Sequence, residues 1–213
     1  MPFTRQELLY HAVNTHQLAP FVRKTENPLC PYINVDVNTD LLWGESEEKT
    51  DMSFVLSKTE QTIVCDVPLQ KLTAEFEFIA LCLHHYKDMN SLYLLYGRGM
   101  LLGHLCDIYD YLHIVAPCSS GVAEICDRLG VSSRIKTCII LSGRVFGTDD
   151  IVESYLCKLA GDDLSDRFGL KEQEYRQWEI PLAHRFFGNV REYLEQILST
   201  EEKEKIRINQ LIM

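Results

Sequence analysis

Apolar and polar positions alternate most strictly between Ile33 and Asn38, where Ile33, Val35 and Val37 take turns with Asn34, Asp36 and Asn38. A period of two predicts a strand whose apolar set faces a core while the polar set shares the other side. Upstream, Thr4 followed by Glu7, with Leu8, Leu9, Ala12 and Val13 at helical spacing, predicts a short amphipathic helix over residues 4–17. Residues 53–56 and 62–67 read as further strands. From Leu69 onward the period lengthens to that of a helix. Residues 72–87 and 91–113 predict two long helices, turned at Asp88-Met89-Asn90 and packed as an antiparallel pair. More helices are expected at 119–129, 133–145, 149–159, 172–178 and 182–198, punctuated by Gly130, Gly147, Gly161 and Pro181. The alternating charges of residues 201–207 read as a solvated helical tail.

Strands followed by helices predict an α+β fold, mainly helical, with an α/β segment over residues 1–68 and a helical domain over 69–213. A chain of 213 residues, 46% apolar and 24% charged, can bury one sizeable core and is not disordered. Its 31 acidic against 21 basic residues give a formal charge of -10, which repels a polyanion and argues against nucleic acid as a partner. Cys82 and Cys106 lie inside apolar runs and are expected to be buried free thiols. No CxxC pair occurs, which removes the usual structural zinc site. The N-terminus lacks a secretory pattern, and Arg98, His104 and three glycines interrupt the most apolar stretch, residues 92–105. A cytoplasmic protein with no membrane span is therefore expected.

Two places could carry chemistry. Asp36 stands mid-strand between two asparagines, where a carboxylate can reach a ligand or metal on an open sheet face. Further on, His84 lies three residues from Lys87 and four from Asp88, so the three share a helical face, as His104 and Asp107 do on the next helix. Together with Arg98 these form either a hydrogen-bonded network tying two helices together or, less simply, a bundle metal site from His84, Asp88, His104 and Asp107. Ser142-Gly143-Arg144 with Gly147-Thr148-Asp149-Asp150 has the wrong order for a phosphate-binding loop, and Cys118-Ser119-Ser120-Gly121 reads as a helix start.

Four segments arrive in an order that resembles the later part of an uncharacterised, bacterial nucleotidyltransferase family of the polymerase-β-like superfamily. They are His16-Gln-Leu-Ala-Pro-Phe-Val-Arg-Lys24, Ile33-Asn-Val-Asp-Val-Asn38 with Trp43-Gly44, Leu81-Cys-Leu-His-His-Tyr-Lys-Asp88, and Leu105-Cys-Asp-Ile-Tyr109. The resemblance covers residues 5–145 and implies a small mixed sheet followed by a helical domain. It also implies a nucleoside triphosphate as substrate and Mg2+ ions held by three carboxylates, two on a DxD strand after a Gly-Ser turn and a third on a neighbouring strand. Asp36 matches the third carboxylate, as a catalytic and magnesium-binding residue. The resemblance places His84, Lys87 and Asp107 beside the sheet, where they would bind nucleotide phosphate, with Asp107 orienting one of the other two.

Residues 1–30 contain no Asp and no Gly, so the Gly-Ser turn and the DxD pair have no counterpart before Asp36. The expectation is a truncated family member, catalytically incomplete alone, that binds a nucleotide or a partner. One alternative is half of a split enzyme completed by a second chain carrying Gly-Ser and DxD; another is a non-enzymatic helical interaction module. The unpaired edge of an incomplete sheet favours a partner chain or self-association.

Overall fold

A computed structural model of the protein describes residues 18, 21–35, 37–42 and 50–212. The helix expected over residues 4–17, as well as Asp36 and Trp43, lies outside the described residues. The chain begins with an antiparallel hairpin, β1 (Phe21–Lys24) and β2 (Tyr32–Val35), paired from Phe21↔Val35 to Lys24↔Tyr32. Every residue of both strands is exposed, Ile33 and Val35 included, so the apolar side of the period-two pattern does not face a core.

Residues 53–56, expected as a strand, belong instead to a short helix, α1 (Met52–Leu56). The reason is local: Asp51 caps the helix by accepting a hydrogen bond from the Phe54 N–H at 3.1 Å. Phe54 then meets the edge of Phe76 at 5.4 Å between centroids, and the Arg128 guanidinium lies over its other side. A second hairpin follows, β3 (Thr59–Val64) and β4 (Val67–Leu72), and β4 runs across residue 68. Its two-residue turn, Cys65-Asp66, takes positive φ at both positions, 50° and 64°, the backbone that matches the twist of hairpin strands.

The helical body is built around α2 (Ala74–Asn90), seventeen residues long. Phe78, Ile79, Cys82, Leu83, Tyr86 and Met89 recur at helical spacing and are buried, each worth roughly 1.5–3 kcal/mol when a large apolar side chain leaves water. Glu75 and Glu77 in its first turn and Lys87 in its last complement the helix dipole. The helix does not turn at residues 88–90; it runs through them and ends at Ser91, whose backbone is extended. The second long apolar run is divided in two, α3 (Leu92–Arg98) and α4 (Leu102–Ile114), because Gly99 adopts φ +69° and closes α3.

Next come α5 (Ser119–Leu129), α6 (Ser132–Phe146) and α7 (Asp150–Leu156), with Gly130 in the left-handed conformation as the C-terminal stop of α5. Helices α5, α6 and α4 pack on α2, and Leu105, Ile108, Val122, Ile135 and Ile139 meet its apolar side in one continuous core. Where a helix was expected at 172–178, a 3-10 turn (Glu172–Glu174) leads into β6 (Arg176–Gln177), paired with β5 (Arg167–Phe168). The run 182–198 is interrupted at Gly188-Asn189, giving α8 (Leu182–Phe187) and α9 (Val190–Ile197), the latter capped by the Asn189 side chain. The tail is α10 (Thr200–Ile212), carrying Lys205–Glu201 and Arg207–Glu204 pairs along its surface.

The fold is thus α+β and mainly helical. Its described strands form three separate two-stranded antiparallel sheets, not the mixed sheet that the resemblance implies. No helix among the described residues is long and apolar enough to cross a membrane.

Candidate functional site

The polar cluster forms where the last turns of α2 meet α3 and α4. Asp88 is its hub. Its side chain is 4% exposed, and a buried carboxylate is costly unless charged or hydrogen-bonding groups surround it. Arg98, at the end of α3, supplies the strongest contact, with Nη2 at 2.5 Å from Oδ2. His84 and His104 bring their Nε2 atoms to 3.7 and 3.6 Å from the same oxygen, and Lys87 places Nζ 3.6 Å from Oδ1. Four side chains from three helices therefore converge on one carboxylate.

His85 lies one residue away but points into the body. It is buried, its ring stacks on His104 at 4.5 Å, and its Nε2 is 3.2 Å from Oδ2 of Asp107. Burial and the neighbouring His104 lower its pKa from the ordinary histidine value to about 4. Burial also lowers His84 and His104, the latter against the pull of Asp88, so all three rings favour the neutral form. Among the described residues, both ring nitrogens of His85, Nδ1 of His104 and Oδ1 of Asp88 are buried without a hydrogen bond in good geometry. The cluster is thus densely polar and only partly satisfied within itself.

The sequence-derived site is partly brought together. His84 and Lys87 share one helical face as their spacing requires, and both address Asp88. Asp107 is 61% exposed and pairs with His85. The carboxylate that both His84 and Lys87 address is Asp88, one residue beyond Lys87. His85 was overlooked, although it falls three residues after Cys82 and four before Met89 and so belongs to the buried stripe of α2. Asp36 lies outside the described residues.

The donors of the cluster do not fit a metal ion. No group of three or more His, Cys, Asp or Glu among the described residues is arranged to hold one, and Oδ2 of Asp88 is already engaged by a guanidinium. What the arrangement does offer is a fixed guanidinium: Arg98 is 47% exposed, so it keeps donors on the solvent side. A second polar pair lies at the far end of α4, where His113 Nε2 meets Asp149 Oδ2 at 2.8 Å. There a hydrogen bond with the Tyr109 backbone and the Asp149 carboxylate raise the histidine.

In comparison with known proteins, no family profile, no curated protein and no solved structure matches the chain.

Proposed function

We propose that the chain binds a phosphate-bearing ligand, a nucleoside triphosphate on the reading its sequence resemblance suggests, at the Asp88 cluster, and does not transfer a nucleotidyl group by itself. The observation that carries this reading is the placement of Arg98 and Lys87 on a single buried carboxylate, beside a half-exposed His84. Asp88 fixes Arg98 at the rim of the cluster, where the exposed part of its guanidinium leaves donors that a phosphate can take up. Transfer would need further carboxylates. In this reading a second chain bearing the Gly-Ser and DxD segment, together with Asp36, would supply them and the Mg2+ they bind.

Calorimetric titration with ATP, CTP, GTP and UTP tests it. Binding at or below millimolar ligand is expected, and Arg98→Gln should weaken it about tenfold, as loss of one charge-assisted hydrogen bond does. No heat at millimolar triphosphate removes the reading. A structural role competes with it, because Oδ2 of Asp88 joins Arg98 on α3 to His104 on α4 and so ties three helices together. Under that role Arg98→Gln lowers the melting temperature, and there is no triphosphate binding for it to change.

A further inference from the structure

Most of the second hairpin is exposed, and its ladder fixes which way each backbone group points. The Thr73 N–H donates to the Lys58 carbonyl at 3.1 Å, so residues 58 and 73 are a hydrogen-bonded pair at the open end of β3 and β4. Antiparallel strands alternate hydrogen-bonded with non-hydrogen-bonded pairs. Along the register from that end, Glu60↔Lys71, Thr62↔Leu69 and Val64↔Val67 bond across the ladder, while Thr59↔Leu72, Gln61↔Gln70 and Ile63↔Pro68 direct their backbone groups outward. The two edges therefore differ. On β4 the outward position nearest the tip is Pro68, which has no N–H to offer and so interrupts that edge for pairing. On β3, Thr59, Gln61 and Ile63 keep both N–H and C=O, and among the described residues no hydrogen bond takes up these outward groups.

The side chains of β3 determine which strand fits this edge. Glu60, Gln61, Ile63 and Val64 are exposed, Ile63 at 74%. Outward positions must meet outward positions, so an antiparallel strand identical to β3 docks only in registers that set odd-numbered residues opposite one another. Centred on Gln61, Thr59 faces Ile63 of the second copy, Gln61 faces its own equivalent, and Glu60 faces Thr62. No like charges are opposed, and the Glu60 carboxylate is already paired with Lys71 at 2.8 Å across the hairpin. The two Gln61 amides, each both donor and acceptor, meet at the axis. Centred on Glu60 instead, two carboxylates would be opposed; centred on Thr62, Thr59 would fall opposite Cys65, whose φ of +50° has left the strand. The Gln61 register is thus self-complementary.

We propose that β3 is the contact through which two copies of this chain associate, edge to edge about a two-fold axis, in a continuous antiparallel sheet of order β4-β3-β3-β4. The backbone groups of Thr59, Gln61 and Ile63 supply the attraction, and the side chains beside them set the register. Asp88 lies at the opposite end of α2 from this hairpin, so the association does not rest on the phosphate reading.

Sedimentation equilibrium of the full chain, from about one micromolar to one millimolar, tests it. A strand-edge contact is small, so a dimer with a Kd of about 10–100 micromolar is expected, in the manner of transient interfaces. Gln61→Lys sets like charges on the axis and should weaken association about fivefold or more, and Gln61→Glu should do the same. Gln61 is exposed and its cross-strand neighbour is the neutral Gln70, so both variants keep the fold. Mixing the two variants in equal amounts should restore association, because each lysine then meets a glutamate. A monomer throughout the concentration range overturns the proposal. So do charge variants that associate like the wild type, which would put the contact on another surface, and a mixture that associates no better than its components.

Discussion

Ile33 and Ile79 are the same side chain in two regions of the molecule, and they end in opposite surroundings. On β2, Ile33 is 47% exposed and, among the described residues, its strand pairs with β1; on α2, Ile79 is fully enclosed. The hydrophobic pattern around each is equally regular. What differs is the second surface: helices α4, α5 and α6 close over α2, whereas β1 and β2 form, among the described residues, a sheet of two strands. Periodicity states which residues share a face, and burial then depends on whether another element arrives to cover that face.

Stability measurements can break this comparison most directly. Ile79→Ala should cost about 2–5 kcal/mol in urea unfolding, through lost transfer energy and the cavity left in the core. Ile33→Ala should change stability by less than about 0.5 kcal/mol, as surface substitutions do. Equal costs at the two positions would mean that something covers the hairpin in solution.

Acid sharpens the contrast between buried and open polar groups. His85 titrates near 4 in the folded chain and near the ordinary value of about 6.5 once unfolded. Between those values the unfolded chain binds more protons, so stability falls as the pH drops through this window. His84 and His104, lowered in the same direction, add to the fall. The melting temperature should therefore decline on acidification, by about 2–4 °C for each kcal/mol of linkage, and His85→Gln should flatten the slope. His113 has the opposite sign: raised by Tyr109 and Asp149, it stabilises at low pH and loses that contribution as the pH rises through its folded value. A profile that His85→Gln leaves unchanged would remove His85 as the source of the acid slope.

The smallest effect concerns two thiols expected to behave alike. Both lie in apolar runs, yet Cys82 is buried in α2 and Cys106 is exposed on α4, within 3.6 Å of Asp110. Burial pushes the Cys82 thiol well above its ordinary range, which removes its reactive thiolate. Mass mapping after a short exposure to a thiol reagent should find Cys106 modified and Cys82 intact. Equal labelling would show that α2 opens as readily as the surface.

These residues also measure how much the sequence disclosed. The helix expected at 119–129 is observed at Ser119–Leu129, because its period and Gly130 act within a dozen residues; the cap position is Cys118, and no serine side chain caps the helix. The helix expected at 133–145 is similarly close to Ser132–Phe146. Errors arose where a single residue redirects the backbone against a longer pattern: Asp51 starts a helix in an expected strand, and Gly99 and Gly188-Asn189 divide helices that the apolar period would continue. In the cluster, His84 and Lys87 were legible because their relation lies within one helix. The pairing of Asp107 with His85, and the exposure of Cys106, depend on how α4 is rotated against α2. No single-helix periodicity encodes that rotation.

Helix α3 has a consequence for the order in which the protein is made. It is only seven residues long, and its Leu95 is buried. One side presents Arg98 to Asp88; elsewhere Tyr96 bonds to Glu195 and stacks under Arg191, while α10 also packs against α3. Short helices are marginal in isolation. The ribosome will thus have released α3 with Arg98 long before α9 and α10, which pack on it, have emerged. Loop closure over that separation is slow compared with the local docking of α5 and α6 on α2. The Arg98 contact to Asp88 therefore depends on elements that are synthesised last, while the other members of the cluster sit on helices of the central body.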